Sequence, residues 1–186
     1  MNKNGTAGEL RERLLRLIRE KALVFGERKL ASGRTSSYYI DGKMITFDPE
    51  GLYLAGRIIC GMIKDQRVDA VGGLAMGAVP IVAAVAVVSY SEGRPVKAFA
   101  VRSEKKDHGT EKRLEGHLEK GWRVAIVDDV ITTGGSSFRA IEAAEEKGAR
   151  VEKVIAIVDR LEGAREAFSQ RNYQFESIFT RKDLGL

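Results

Sequence analysis

The stretch Val124-Ala-Ile-Val-Asp-Asp-Val-Ile-Thr-Thr-Gly-Gly-Ser136 decides the fold. Four apolar residues lead to two adjacent carboxylates, Asp128 and Asp129, and a run of hydroxyls and glycines then opens into a helical pattern. This order is typical of a buried strand followed by a loop that feeds a helix N-terminus. Backbone N–H groups in such a loop could bind a phosphate, but carboxylates would repel it. The acidic pair therefore predicts a second role beside phosphate binding.

The rest of the chain alternates between strand and helix patterns on both sides of this stretch. The predicted strands are residues 70–73, 96–101, 122–127, 151–158 and 175–179. The predicted helices between and after them are residues 77–89, 136–147 and 162–169. This alternation predicts an α/β fold with a mainly parallel, twisted sheet and helices on both faces.

The N-terminal section has a different pattern. Thr6 and Glu9 match a capping box, and Asp48 with Pro49 predicts the start of another helix. Between these helices, residues 24–43 read as short strands and turns. We expect one domain over residues 1–186, with an N-terminal hood over about residues 1–45 and no repeat or linker.

The composition narrows the classes of function. The chain has 186 residues, of which 44% are hydrophobic, and a net charge of +5. The scattered basic excess suits a polyanionic small substrate better than a nucleic acid. The one cysteine, Cys60, lies in an apolar helical context, which predicts a buried thiol and a reducing, cytoplasmic location. No apolar run is long enough to span a bilayer, so we expect no membrane partner.

Hydroxyl-binding carboxylates beside a phosphate loop together predict a sugar phosphate ligand. Carboxylates accept hydrogen bonds from a ribose diol or bind a divalent cation, while the glycine loop binds the phosphate. The alternative is a strand end with an N-capped helix and no ligand. Neither a Walker loop nor a dinucleotide-binding GxGxxG pattern is present. Residues 72–77, 102–116 and 128–136 all follow predicted strands, so they should meet at the ligand-binding edge of the sheet.

The motif at residues 124–136 resembles the phosphoribosyl pyrophosphate signature of the type I phosphoribosyltransferases. The resemblance covers nearly the whole chain, because "SGRTSSYYIDGK", "GGLAMGAVP" and "RSEKKDHG" are similar to the base-site section, pyrophosphate loop and mobile catalytic loop of the orotate branch. It implies transfer of ribose 5-phosphate from 5-phosphoribosyl 1-pyrophosphate (PRPP) to orotate. Mg²⁺ is implied as the cofactor. We expect the substrate to carry the ion, with Asp128 and Asp129 nearby and no metal site made by protein ligands alone.

By this resemblance the PRPP site is extensive. Asp128 and Asp129 hold the ribose hydroxyls, and the pyrophosphate lies on Ala75, Met76 and Gly77. The rest of the PRPP signature comprises Val130, Ile131, Thr132, Thr133, Gly134, Gly135 and Ser136, of which residues 132–136 hold the 5′-phosphate.

The basic loop at residues 102–116 is the predicted catalytic loop. Arg102, Lys105, Lys106 and His108 would stabilise charge on the departing pyrophosphate, and closure of the loop would exclude water. Many relatives have Lys where Ser103 stands. In the family this loop enters the neighbouring subunit's site, which implies a homodimer. The alternative is that this segment is a solvated surface loop with no catalytic role.

The orotate site is expected to include Thr132, Arg160, Tyr38 and Tyr39. Some relatives carry Lys where this chain has Ala31, and Lys29 or Lys43 could replace it. Two other functions stay open at this point. One is the same transfer to a purine base, and the other is a PRPP-sensing regulator that binds nucleic acid.

Overall fold

The structure, a computed structural model, describes residues 5–29, 35–103 and 113–186. Its N-terminal section begins with helix α1 (Ala7–Leu17), whose first turn is closed by the capping box of Thr6 and Glu9 predicted from the sequence. One π-helical turn (Ile18–Ala22) leads into strand β1 (Leu23–Lys29), which pairs antiparallel with β2 (Thr35–Ile40). Helix α2 (Lys43–Thr46) and helix α3 (Pro49–Ile63) follow, and the Asp48 carboxylate caps α3 as predicted.

Strands and helices alternate through the rest of the chain. The elements in chain order are β3 (Ala70–Leu74), α4 (Ala78–Ser91), β4 (Lys97–Val101), β5 (Leu114–Gly116), β6 (Arg123–Ile131), α5 (Gly135–Glu146), β7 (Arg150–Asp159), α6 (Ala164–Gln170) and β8 (Phe175–Thr180). A 3₁₀ turn (Arg181–Leu184) follows β8. The predicted α/β alternation is confirmed.

The main sheet has six strands in the order β5-β4-β3-β6-β7-β8. All neighbouring strands are parallel except β5, which pairs antiparallel with β4. The connections reverse direction between β3 and β6, because β3 leads outward to β4 while β6 leads outward to β7 on the other side. The predicted mainly parallel sheet is therefore present, with its topological switch at the β3–β6 pair.

Helices cover both faces of this sheet, as the sequence predicted. One face packs against α1, α3 and α4, and Val127 and Ile155 belong to that core. The other face packs against α5 and α6, and Ile126 and Phe168 belong to that core. Successive residues of β6 thus alternate between the two cores. Cys60 is buried in the first core, as predicted, and its surroundings raise the pKa of the thiol to about 12 by desolvation.

Three features of the fold differ from the sequence predictions. Strand β6 continues past Val127 to Ile131, because it pairs with β7 as far as Asp159. Strand β5 lies within the segment predicted as a loop, since Leu114–Gly116 finds partners on the edge of β4. Helix α2 begins at Lys43, the last residue of the section predicted as strands and turns, and continues over residues for which no element was predicted. Each reflects pairing or packing with residues that are distant in sequence. In the described ranges, no helix has both the length and the apolar character that crossing a membrane requires.

Two glycines of β3 allow neighbouring elements to approach this strand closely. A Cβ atom on Gly72 would overlap the ring of Phe99, and one on Gly73 would overlap the Val127 carbonyl and the Cβ of Ala78. The Val127 carbonyl belongs to the backbone of the neighbouring strand, which cannot move aside as a flexible side chain could. Gly73 therefore holds β3, β6 and α4 at the spacing seen here.

Gly73→Ala should destabilise the protein by about 1–3 kcal/mol, because the added methyl has no space beside β6. Gly61→Ala is the matched control, since an added Cβ there meets no atom within 4 Å. That change in α3 should stabilise the protein by about 0.5–1 kcal/mol. Urea denaturation of both variants measures the effects. Equal stability of the two variants would contradict the close packing at Gly73.

Candidate functional site

The candidate site lies where the strand connections reverse direction. Strand β3 is followed by the turn Ala75 to Gly77, and β6 is followed by Thr132, Thr133 and Gly134. Because the chain leaves these neighbouring strands toward opposite faces, the two connections separate and leave a crevice. The sequence prediction that these segments meet at one edge of the sheet is confirmed for the parts of them that the structure describes.

The two adjacent carboxylates of β6 occupy different environments. Asp128 is 5% exposed, and its Oδ2 accepts hydrogen bonds from Ser136 Oγ at 2.6 Å and Ser137 Oγ at 3.2 Å. Desolvation, with the nearby charge of Asp129, raises the pKa of Asp128 to about 7. The Asp128 carboxylate therefore faces the start of α5 inside the protein.

Asp129 lies on the other side, between two glycines from distant segments. A Cβ atom on Gly42 would overlap the Asp129 carboxylate, and one on Gly77 would lie 2.8 Å from Asp129 Oδ1. Asp129 Oδ1 also accepts a hydrogen bond from the Val130 N–H at 2.9 Å. These glycines leave room for a carboxylate that lines an open cleft. The strand does not end at the acidic pair as predicted, since Asp128 and Asp129 lie within β6.

The predicted phosphate loop leads directly into α5. Gly134 is the N-cap residue with φ of 88°, a left-handed conformation that suits glycine, and no side chain caps the helix. The first backbone N–H groups of α5 are therefore available to an anion. Thr132 is half-buried, Thr133 and Gly135 are exposed, and Ser136 is half-buried beside them. Ile131 is 1% exposed and belongs to the core, so it supports the loop without reaching the cleft.

A cleft of about 510 Å³ brings most of the predicted groups together. Its walls are formed by Tyr39, Ile40, Gly42, Lys43, Asp129, Val130, Thr132, Thr133, Arg160 and Glu162. The cleft therefore joins β2 and the start of α2 to the ends of β6 and β7. Backbone, hydroxyl, acidic and basic groups all converge on it, which is the arrangement expected of a small-molecule site.

A buried arginine lines the cleft. Arg160 is 3% exposed, its Nε lies 2.8 Å from Glu162 Oε1, and its guanidinium lies 4.8 Å from the centre of the Tyr38 ring. Such contacts with a carboxylate and an aromatic ring fix the direction of the side chain. Tyr38 therefore lies against Arg160, while Tyr39 lines the cleft itself. The two tyrosines, both predicted to contact orotate, thus have different positions.

Lys43 also lines the cleft. Its Nζ lies 3.1 Å from Asp41 Oδ1, and this hydrogen bond raises the pKa of Lys43 above its ordinary value. The ammonium is therefore charged at neutral pH. Lys29 and Lys43 are the two candidates for the role of the lysine that some relatives carry at the position of Ala31. Lys43 lines the cleft. The side chain of Lys29 and all of Ala31 lie outside the described residues.

The predicted pyrophosphate contacts lie beside the cleft. Ala75 is held by a hydrogen bond from its N–H to the Val101 carbonyl at 2.7 Å, Met76 is exposed, and Gly77 faces Asp129. Arg102 is at the end of β4, where its guanidinium binds Glu115 Oε1 at 2.8 and 3.0 Å. Ser103 is exposed, and Lys105, Lys106 and His108 lie outside the described residues.

Gly42 and Glu162 are site residues that the sequence did not single out. Nothing near Gly42 indicates that Asp129, far along the chain, would pack against it. Glu162 could have been predicted from the sequence, because it follows Arg160, a candidate cation, by two residues and so lies close enough to pair with it. Among the residues that the structure describes, no three His, Cys, Asp or Glu side chains are placed to hold a metal ion together.

Comparison with known proteins identifies close relatives. The family model of the phosphoribosyl transferase domain matches residues 42–174. Orotate phosphoribosyltransferase of Aquifex aeolicus is 45% identical over 177 residues, which is 94% of this chain and 97% of that protein. Orotate phosphoribosyltransferase of Nostoc sp. is 42% identical over 176 residues, covering 94% and 85% of the two chains.

Solved structures have the same architecture. Orotate phosphoribosyltransferase of Mycobacterium tuberculosis in complex with Fe(III) dicitrate superposes with a TM-score of 0.84 at 36% identity, over 95% of this chain and 99% of that one. The same enzyme in complex with PRPP gives 0.80 at 34% identity, again over 95% and 99%. Adenine phosphoribosyltransferase of Leishmania donovani, at 16% identity and a TM-score of 0.65 over 91% of this chain and 80% of that one, shares the fold.

The buried Asp128 should make stability depend on pH. Its pKa is about 7 in the folded protein and about 4 in an unfolded chain. Between about pH 4 and pH 7 the folded protein thus holds a proton that the unfolded chain has lost, so this group's contribution to stability falls as pH rises. We expect the melting temperature of Asp128→Asn, relative to the unsubstituted protein, to rise from pH 4 to pH 8. A difference in melting temperature between the two proteins that stays constant from pH 4 to pH 8 would contradict the raised pKa.

Proposed function

Because the chain belongs to the phosphoribosyltransferase family, we propose that it is an orotate phosphoribosyltransferase. It transfers ribose 5-phosphate from PRPP to orotate and releases orotidine 5′-monophosphate and pyrophosphate, a step of pyrimidine biosynthesis. The observation that carries this proposal is a single cleft in which Asp129, the Thr132–Thr133 hydroxyls and Arg160 converge. These groups suit a ribose diol, a phosphate and a carboxylate-bearing base, respectively.

The ribose 5-phosphate half of PRPP would bind across β6 and α5. The 5′-phosphate would accept hydrogen bonds from the uncapped N–H groups at Gly134 to Ser136 and from Thr133. Asp129, which lines the cleft, would accept hydrogen bonds from the ribose hydroxyls. Asp128 would support this site from behind, since its carboxylate already accepts from two serine hydroxyls.

The pyrophosphate half would lie over the turn from Ala75 to Gly77. Gly77 supports this placement, because its lack of a side chain leaves space next to Asp129. Arg102 would release Glu115 and bind the pyrophosphate instead. By the family motif, we propose that Lys105, Lys106 and His108 also contribute cations to the pyrophosphate. As the bond between ribose C1 and the pyrophosphate oxygen breaks, the oxygen keeps the electron pair, and these cations would stabilise the charge.

Mg²⁺ fits this site as a cofactor carried mainly by the substrate. Oxygen ligands suit the ion, and Asp129 offers a cleft-lining carboxylate, while the pyrophosphate and ribose hydroxyls would supply other oxygens. When bound, the ion would neutralise part of the pyrophosphate charge. Asp129 would then orient both the ribose hydroxyls and the ion.

Orotate would occupy the end of the cleft beside Arg160. Its carboxylate matches the guanidinium, which Glu162 and the Tyr38 ring hold in place. Lys43 supplies a second cation in the cleft and is our candidate for the lysine absent at Ala31. Tyr39 and Thr132 would contact the planar ring. The ring nitrogen would give up its proton to solvent or to the departing pyrophosphate and form its bond to ribose C1 as pyrophosphate leaves. Positioning and electrostatics would supply the catalysis.

We further propose a single transferase domain over the whole chain, a cytoplasmic enzyme and a homodimer in which residues 102–116 reach the partner's site. Large apolar side chains exposed on or beside α2 and α4 support self-association; they are Met44, Phe47, Val87 and Tyr90. Exposed apolar surface of this kind commonly marks a protein interface.

The purified protein should consume orotate when mixed with PRPP and Mg²⁺, measured as loss of orotate absorbance. Uracil, which lacks the carboxylate, should react at least about 100-fold more slowly, because Arg160 and Lys43 would then face no anion. Adenine and guanine serve as controls for a purine enzyme. Turnover of a purine without turnover of orotate would overturn the proposal, and so would nucleic-acid binding without turnover of any base.

Asp129→Asn should lower kcat/KM about 100-fold, because the ribose hydroxyls and the ion lose a charged partner. Lys106→Ala should also be nearly inactive. If sites are shared across a dimer, mixing the two variants should restore up to about a quarter of the activity, through hybrid dimers with one intact site. No recovery after verified subunit exchange would contradict the shared site.

A further inference from the structure

The first turn of α5 is tied to β6 by two serine hydroxyls. Ser136 Oγ and Ser137 Oγ both donate to Asp128 Oδ2, while Asp128 Oδ1 accepts the Asp129 N–H at 3.1 Å. Ser137 is 1% exposed and Asp128 is 5% exposed, so the Ser137 bond is shielded from water. Buried bonds to a carboxylate are stronger than exposed ones and fix geometry more tightly.

The opposite side of the same turn rests on aromatic rings. A Cβ atom on Gly134 would lie 2.9 Å from the Phe168 ring and 3.3 Å from the Phe138 ring. Those two rings pack with their centres 4.6 Å apart. The turn is therefore held between an aromatic pair and the Asp128 carboxylate, and neither contact uses a backbone N–H group at the start of α5.

A serine at the N-cap position of a helix commonly bonds to the N–H groups of the first turn. Here the N-cap is Gly134 and no side chain caps α5. The Ser137 hydroxyl is instead committed to Asp128, since a hydroxyl has a single hydrogen to donate. The N–H groups are thus left open to a ligand while the turn that carries them is fixed.

We propose that Ser137 is a positioning residue for the phosphate site, acting through Asp128 to hold the N–H groups of the first turn of α5 in the direction that binds a phosphate monoester. Ser137 does not touch the ligand, because it is buried behind the turn. This inference rests on the proposed function for the identity of the ligand, ribose 5-phosphate as part of PRPP. The contacts that carry it lie wholly within the protein.

Calorimetric binding of ribose 5-phosphate to Ser137→Ala tests the proposal. The dissociation constant should rise about tenfold, which corresponds to the loss of one hydrogen bond to a charged group. The KM for PRPP should rise similarly, while the KM for orotate and kcat should change less than about twofold. Ser137→Cys, which fills the same space with a weaker donor, should show the same pattern and keeps the test available if Ser137→Ala fails to fold.

Ser89→Ala is the matched control. Ser89 is also buried, and its hydroxyl donates to the Ala86 carbonyl and accepts from the Val96 N–H, at the far end of α4. The Ser89→Ala variant should be less stable than the unsubstituted protein but should bind ribose 5-phosphate with the same dissociation constant. The proposal is overturned if Ser137→Ala binds like the unsubstituted protein, if Ser89→Ala weakens binding equally, or if the unsubstituted protein fails to bind ribose 5-phosphate. Failure to turn over orotate, with the binding pattern intact, would reject the proposed function alone.

Discussion

The site depends on the opposed directions of two neighbouring carboxylates in one strand. Asp128 faces the start of α5, where it accepts hydrogen bonds from Ser136 and Ser137, and Asp129 faces the cleft between Gly42 and Gly77. Because side chains of a strand alternate, adjacent positions can serve two faces of the sheet at once. One carboxylate can thus hold the first turn of α5 while the next faces the cleft.

This arrangement is possible because β3 and β6 are neighbours at the centre of the sheet. Their following connections turn toward opposite faces, so the crevice between them is a consequence of strand order. Gly73 lets β3, β6 and α4 approach closely, and Gly77 leaves space for Asp129. The N-terminal section completes the cleft by bringing Tyr39 and Lys43 opposite Arg160. Binding chemistry therefore comes from four distant segments that converge on one edge.

Much of this could be predicted from sequence, because apolar periodicity and helix caps are local signals. The caps at Thr6 and Asp48 and the order of strands and helices are examples. The extension of β6 to Ile131 was not predictable, since the pairing with β7 as far as Asp159 is non-local. Likewise nothing in the acidic pair indicates that Asp128 is buried, or that Gly42 lies beside Asp129. Sequence could name the groups of the site but could not assign each to a face.

The most direct test is a crystal structure of the protein with PRPP and Mg²⁺. We expect the 5′-phosphate to accept hydrogen bonds from N–H groups at the start of α5, at about 2.8 Å. We also expect the ribose hydroxyls to donate to Asp129, and Ser137 to stay bonded to Asp128 without contacting the ligand. A phosphate bound away from the first turn of α5, or ribose hydroxyls that do not meet Asp129, would contradict the proposed site.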